Sequence, residues 1–364
     1  MKRLLCIVGG MNRGGAETFL MKIYRQLDKS KFQMDFAVAE RGVYDSEILS
    51  YGGKIYNITP KSKNILKNFN DIKNIVKENK YVYVLRTSQH SLSALELLAA
   101  KMGGAKKCIY RSSNSNSGST NFINQLMHKA FIFMPQLFAN VKIAPSTEAA
   151  KFMFGKRYVD KGKVNIIHNG LDLNLYEYSE NARKRIRKEF SINDTTIVMG
   201  HIGRFNYQKN HKFLIDIFRE YHISNSDSIL LLVGVGELEN EIKEKIQKEH
   251  LENFVIFAGL RNDIRDLLSA MDVFVFPSFY EGMPNTVIEA QACGLSCVIA
   301  DTITREANIT NLVTYCSLND SLKNWNTSIE KNINVRENTK DIMMKEKYDI
   351  NSVVKEFVNV VFGE

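Results

Sequence analysis

No apolar run in the 364 residues reaches the roughly 18–20 residues that a membrane-spanning helix needs, so an integral membrane protein is not expected. Cysteine is sparse: Cys6, Cys108, Cys293, Cys297 and Cys316 are odd in number and scattered among apolar neighbours, which argues against a disulfide framework. Cys293 and Cys297 are too far apart for a CxxC pair and no His-rich stretch lies near them, so no structural zinc site is expected. Five Pro and 21 Gly rule out a Pro/Gly low-complexity chain. The N-terminal apolar run Leu4–Val8 is shorter than a signal-peptide core, and the expected compartment is the cytoplasm. Helix-turn-helix, zinc-finger and aromatic RNA-binding signatures are missing as well, so nucleic acid is not the expected partner.

What is present is globular: 44% hydrophobic and 24% charged residues, in a length that suits two domains better than one. The net charge of +9 is unevenly divided. Residues 1–172 hold 27 Lys and Arg against 12 Asp and Glu, a net +15, while residues 173–364 hold 22 against 28, a net −6. A strongly basic half reads either as a solvated Lys-rich surface or as a face that meets polyanions, of which an anionic membrane surface is the better match.

Arg3–Gly9 is a continuous apolar run ending in Gly9-Gly10, the pattern of a buried parallel strand, and Ala16–Leu27 follows at helical spacing. Phe32–Val38, Tyr81–Leu85, Ala105–Tyr110, Val141–Ala144 and Lys163–Ile167 read as further strands, with a helix at Leu92–Lys101. After the polar stretch Leu173–Asp194 the pattern restarts at Thr196–Ile202, Ser228–Val233, Val255–Ala258, Val273–Phe276 and Ser296–Ile299. Strands alternating with helices predict an α/β protein of two Rossmann-like doubly wound domains facing each other across a cleft. The expected boundaries are 1–175 and 195–345, with a linker at about 173–195 and a C-terminal helix at 346–364 free to pack back on the first domain.

Four local signals carry chemistry. Gly9-Gly10-Met-Asn-Arg13-Gly14-Gly15-Ala-Glu17 lies between a strand and a helix, where glycines admit a ligand to the backbone and a helix N-terminus favours an anion. It is neither a P-loop nor GxGxxG. Gly203-Arg204-Phe-Asn-Tyr-Gln-Lys209 sets two cations on one loop at a strand's carboxyl end, a clamp for a diphosphate. Glu281-Gly282-Met283-Pro284-Asn285-Thr286 leads into a helix carrying Glu289, with Pro284 expected at its first position. Amides at that helix start suit a phosphate, and carboxylates beside it suit sugar hydroxyls. Val233-Gly234-Val-Gly236-Glu237 and Gly259-Leu260-Arg261-Asn262 are candidate backbone walls for a base.

Together these strings resemble glycosyltransferase family 4, the retaining two-Rossmann (GT-B) sugar-nucleotide transferases, and most closely its bacterial capsular and exopolysaccharide branch. Glu281-x7-Glu289 is that family's signature spacing, and Glu281–Asp301 resembles the branch nearly throughout. Gly14–Leu20, Lys163–Leu173, Gly203–Asn210 and Asp301–Thr310 extend the likeness over almost the whole chain. The resemblance implies that Arg204 and Lys209 neutralise the donor diphosphate as leaving group, that Glu289 binds ribose hydroxyls, and that Glu281 meets the transferred hexose. It implies that the amides of Gly282, Met283, Pro284 (through its neighbours), Asn285 and Thr286 touch sugar and phosphate. Gly14, Gly15 and Gly203 would let backbone close on the donor, and Leu260 and Arg261 would frame the base. It implies a UDP-sugar as donor substrate, a lipid-linked oligosaccharide as acceptor, no cofactor and no metal. That last implication agrees with the missing Asp-x-Asp, since a Lys/Arg clamp and a helix dipole replace Mg²⁺.

One departure stands out. Many relatives carry His-x-His after the strand at 81–85 and another His after 105–110, where this chain has Arg86-Thr87-Ser88 and Arg111-Ser112-Ser113-Asn114. His90 is the nearest imidazole, a candidate catalytic or acceptor-orienting group, and the two arginines are candidates for an acceptor's phosphate or sugar acid. Phe122–Leu137 reads either as a core-facing helix or as an interfacial one that docks on the inner face of the membrane. Two readings other than a glycosyltransferase also fit parts of the chain: a sugar-nucleotide epimerase of the same fold, and a non-enzymatic basic protein that binds polyanions.

Overall fold

The computed structural model describes residues 1–12, 14–113 and 122–364, with the side chains of 122–125 also outside the description; Arg13 and Asn114 lie outside the described residues. The chain divides into two compact units, Met1–Gly170 with Lys347–Glu364, and Leu171–Glu346.

The N-terminal unit holds seven parallel strands: β1 (Lys2–Gly10), β2 (Phe32–Glu40), β3 (Ile55–Asn57), β4 (Tyr83–Ser88), β5 (Lys107–Ser112), β6 (Val141–Ala144) and β7 (Asn165–Ile166). Their order is β3-β2-β1-β4-β5-β6-β7. The C-terminal unit holds six: β8 (Ile197–Ile202), β9 (Ser228–Val233), β10 (Val255–Gly259), β11 (Val273–Phe276), β12 (Cys297–Ala300) and β13 (Val313–Cys316), ordered β10-β9-β8-β11-β12-β13. The central strands are unbroken apolar runs because helices cover both faces; Leu4–Val8 and Val273–Phe276 are buried throughout. Short edge strands β3 and β13 carry no such run and are absent from the sequence reading. In each sheet the order reverses once, between β1 and β4 and between β8 and β11. In open α/β sheets ligands bind beyond the carboxyl ends of the strands at such a reversal.

The expected linker at 173–195 is instead part of the C-terminal unit. It carries the helix Glu180–Glu189, capped by Ser179, whose hydroxyl accepts from Ala182 N–H at 3.2 Å. Arg187, buried, donates to Asp272 Oδ2 at 2.7 Å, and Arg183 donates to Oδ1 at 2.7 Å. The same carboxylate takes the Val198 N–H of β8 at 2.7 Å, so a polar-looking segment is bolted to the sheet. The C-terminal helix Ile350–Phe362 belongs to the N-terminal unit: Phe357 meets Phe19 edge-on at 6.1 Å, and Phe362 lies 4.7 Å from Phe32. Burying each phenylalanine contributes roughly 1.5–3 kcal/mol, enough to bring the chain's end back.

Phe122–Leu137 is not one core-facing helix. It forms two, Phe122–Ala130 and Met134–Phe138, and Leu126, Met127, Phe133 and Leu137 are exposed while His128 is buried. All five cysteines are free and buried. No helix among the described residues is long and apolar enough to cross a membrane.

Candidate functional site

In the C-terminal unit, the two strongest motifs sit on either side of the β8/β11 reversal. The loop after β8 runs through Gly203 and Arg204 into a short 3₁₀ turn, Tyr207–Lys209, capped by Asn206. Asn210 then takes left-handed backbone (φ 55°) and opens the helix His211–Ser224. The loop after β11 is tied to it at three points. Phe279 N–H donates to Gln208 O at 2.9 Å, Gln208 Nε2 to Tyr280 O at 2.8 Å, and Asn210 Nδ2 to Pro277 O at 3.1 Å. Tyr207 stacks on Phe279 with centroids 4.7 Å apart.

These ties bring Lys209 Nζ to 2.7 Å from Glu281 Oε1, with side chains only 15% and 9% exposed, and 4.4 Å from the Phe276 ring centroid. Arg204 is placed differently. Its side chain is 70% exposed and meets Glu237 at 3.1 Å. The first pair is sheltered and holds its geometry; the second is a surface pair worth about 0–1 kcal/mol, so Arg204 is cheap to redirect toward an arriving anion.

The helix after the second loop is Asn285–Ala292, with Pro284 at its N-cap rather than at its first position. The Thr286 hydroxyl oxygen in its first turn, and that of Ser278 upstream, are buried with no hydrogen-bond partner among the described residues. Such orphans cost about 1–3 kcal/mol each unless something meets them. Glu289 accepts a hydrogen bond from Tyr176, whose phenol is pushed up by burial and then by the Glu289 charge. Tyr176 lies in the stretch read as linker, and nothing local in the sequence signals it.

The glycines of the third string serve packing. A Cβ on Gly234 (φ 136°) would strike Gly203 O, and one on Gly236 would strike the Phe205 backbone. Leu260 is exposed, and the Arg261 head is clasped by Asp263 at 2.7 Å and Glu189 at 3.1 Å, which leaves only its backbone for a base. Behind Lys209 sit two buried histidines, His201 and His211, with centroids 4.7 Å apart. Burial and then Lys209 hold His211 down at about 4, and burial and then His211 hold His201 well below its ordinary value.

In the N-terminal unit the loops after β1 and β4 flank the other reversal. Gly14 is the N-cap of the helix Gly15–Gln26, and a Cβ there would collide with the Glu17 carboxylate, which folds back over the helix start. Burial pushes the Glu17 carboxyl up. Arg86 and Arg111 do not present themselves to a ligand. Arg86 is buried, donates to Ile7 O at 2.9 Å and Thr87 O at 2.8 Å, and pairs with Glu96. Arg111 is 1% exposed, donates to Asn169 Oδ1 at 2.7 Å and lies 3.8 Å from the Phe19 ring centroid; burial pulls it down to about 9. Both are pinned by main-chain and core groups that sequence proximity does not reveal. His90 caps the 3₁₀ turn Ser91–Ala94: its Nδ1 accepts from Leu92 N–H at 3.3 Å, which leaves the proton on Nε2. It is half-buried and lines a cavity of about 610 Å³.

Residues 182–342 match the family model described as glycosyl transferases group 1. EpsF of Bacillus subtilis (strain 168), named as a glycosyltransferase, is 32% identical over 99% of this chain and 96% of its own. An Escherichia coli UDP-Gal:alpha-D-GlcNAc-diphosphoundecaprenol alpha-1,3-galactosyltransferase is 26% identical over 82% of this chain and 78% of its own. The crystal structure of Anabaena HepE in complex with UDP-glucose superposes with a TM-score of 0.80 at 19% identity over 100% of both chains. The two-unit parallel α/β architecture is thus that of GT-B glycosyltransferases.

Proposed function

The chain belongs to the glycosyl transferases group 1 family, and we propose that it is a retaining, metal-independent hexosyltransferase that moves sugar from a UDP-sugar to a lipid-linked oligosaccharide in surface-polysaccharide assembly. The observation that carries this reading is the Lys209–Glu281 pair, held across the β8/β11 reversal by the three ties between its loops.

A diphosphate at that place meets Lys209 directly, draws Arg204 off its exposed pair with Glu237, and offers oxygens to Thr286 and the helix amides beside it. Glu281 stays bonded to Lys209, aiming the ammonium, and its second oxygen accepts from a sugar hydroxyl. Glu289, backed by Tyr176, accepts from the ribose hydroxyls. As the glycosidic C–O bond breaks, charge builds on the leaving phosphate, and only cations placed there beforehand lower the barrier. The acceptor hydroxyl attacks from the same face, and the departing phosphate oxygen takes its proton, which retains the anomeric configuration. A UDP donor and a diphosphate-lipid acceptor are both in the printed name of the Escherichia coli relative, which supports these two choices. The +15 charge of residues 1–172 supports work at the inner face of the cytoplasmic membrane. Binding to anionic liposomes that salt does not weaken, or no binding, would contradict that placement.

The test is incubation with a UDP-hexose and a prenyl-diphosphate-linked sugar, with EDTA present and the product anomer read by NMR. Transfer with retention is expected. An inverted product, a requirement for metal, or epimerised UDP-sugar without acceptor would each overturn this reading.

A further inference from the structure

The cavity of about 610 Å³ in the N-terminal unit has walls and floor of opposite character. Ile65, Phe69, Leu92, Leu95, Met127 and Phe131 make the walls. The floor is charged. Lys61 Nζ donates to Ser93 Oγ at 2.8 Å and to Glu96 Oε2 at 3.3 Å, and Arg86 pairs with the same buried Glu96. Two cations therefore share one carboxylate, leaving one net positive charge on the lining of the cavity, with the Lys61 side chain 37% exposed. Burial and the neighbouring Arg86 pull the Lys61 ammonium down to about 8. Outside, Leu66 is 77% exposed between Lys63 and Lys67, and Leu126 is exposed next to Met127.

We propose that this cavity receives the lipid end of the acceptor: a diphosphate oxygen on Lys61 and the first isoprene units of the chain against Phe69, Leu92 and Phe131. The assignment rests on the glycosyltransferase reading above and adds to it the place and the chemistry of acceptor recognition. Six of the twelve lining residues are apolar, and that part of the lining offers a sugar hydroxyl no hydrogen bond. It suits an amphiphile, whose chain gains by leaving water and whose anion answers the unmatched charge. A membrane surface alone explains the exposed Leu66 and Leu126 but not two cations gathered on one carboxylate at the lining of a cavity. His90 lies on the same lining.

The probe is farnesyl diphosphate, titrated calorimetrically into the full chain, beside inorganic pyrophosphate, farnesol and phosphatidylglycerol vesicles. Farnesyl diphosphate should bind at least tenfold more tightly than pyrophosphate or farnesol. Lys61→Met and Met127→Glu should each weaken it tenfold or more and raise KM for the lipid-linked acceptor with kcat little changed. Met127 is exposed, so its variant tests the site without a core substitution. Both variants should keep the thermal stabilisation that a UDP-sugar gives. Equal binding of farnesyl diphosphate and pyrophosphate, unaltered binding in both variants, or binding of vesicles but not of farnesyl diphosphate would overturn the assignment. If UDP-sugar stabilises the chain and farnesyl diphosphate does not bind, only the cavity assignment falls. If UDP-sugar fails as well, the glycosyltransferase reading falls with it.

Discussion

In the C-terminal unit the loops after β8 and β11 are joined by three hydrogen bonds, and their strongest cation, Lys209, is sheltered and paired with Glu281. In the N-terminal unit the strands at the same topological place carry Arg86 and Arg111, which are spent on main-chain carbonyls, Asn169 and the Phe19 ring. One unit presents charge on loops; the other buries Arg86 and Arg111 under them and holds Lys61, which shares Glu96 with Arg86, on the lining of a largely apolar cavity. The difference teaches where each ligand class can be read. A diphosphate needs preset cations and amides close to solvent, whereas an amphiphile needs apolar walls with charge recessed behind them.

The comparison can be broken most severely at Asp272. Asp272→Ala would strand Arg187 and the Val198 amide in the C-terminal unit and should cost about 3–5 kcal/mol. Trp325 is the only tryptophan and is buried in that unit, so its fluorescence follows this unit's melting alone. A variant with wild-type denaturant midpoint would show that the helix Glu180–Glu189 is a linker after all.

The clamp is tested next. Lys209→Ala should lower kcat by roughly 10²–10³ with the Trp325 melt little changed, and Arg204→Ala should also reduce kcat, by less. Near-wild-type rates in both would remove the clamp from the mechanism.

A paired substitution sharpens the contrast in backbone packing. Gly236→Ala collides with the Phe205 backbone and should cost about 1–3 kcal/mol, whereas Gly9→Ala at the end of β1 has nothing within 4 Å of its new Cβ and should be neutral. Comparable losses in the two variants would mean that both glycine loops are built alike.

The smallest effect concerns pH. His211, at about 4, and His201, held well below its ordinary value by burial, stay neutral when folded, while the unfolded chain takes up protons below about 6.5. Their contribution is fully present above 6.5 and is lost as the pH falls toward 4. The Trp325 melting temperature should drop between pH 7 and pH 5, and His211→Phe should flatten that drop. An unchanged slope would mean that His211 is protonated in the folded state.

Much of this was legible in the chain itself. The buried runs Leu4–Val8 and Val273–Phe276 mark central parallel strands, and the strings around Gly203 and Glu281 mark the loops after β8 and β11 because each is a local strand–loop–helix pattern, although the bonds that join the two loops span 67 to 72 residues. Other features depend on distant partners. Arg86 and Arg111 read as ligand groups because their anchors, Ile7 O and Asn169, are 79 and 58 residues away. Tyr176 and the helix Glu180–Glu189 were hidden in a polar stretch whose purpose appears only when Asp272 and Glu289 are beside it. The cavity at Lys61 draws on three separate segments, and no periodicity announces it.

The most direct measurement is the thermal stabilisation of the chain by UDP-, GDP-, ADP- and dTDP-hexoses, with and without EDTA, in the wild type and in Lys209→Ala. Stabilisation follows RT ln(1 + [L]/Kd), so the account predicts one winner, a UDP-sugar, indifferent to EDTA and lost or strongly weakened in Lys209→Ala. No shift with any sugar nucleotide, or an undiminished shift in Lys209→Ala, would contradict the claim that this loop pair is the donor site.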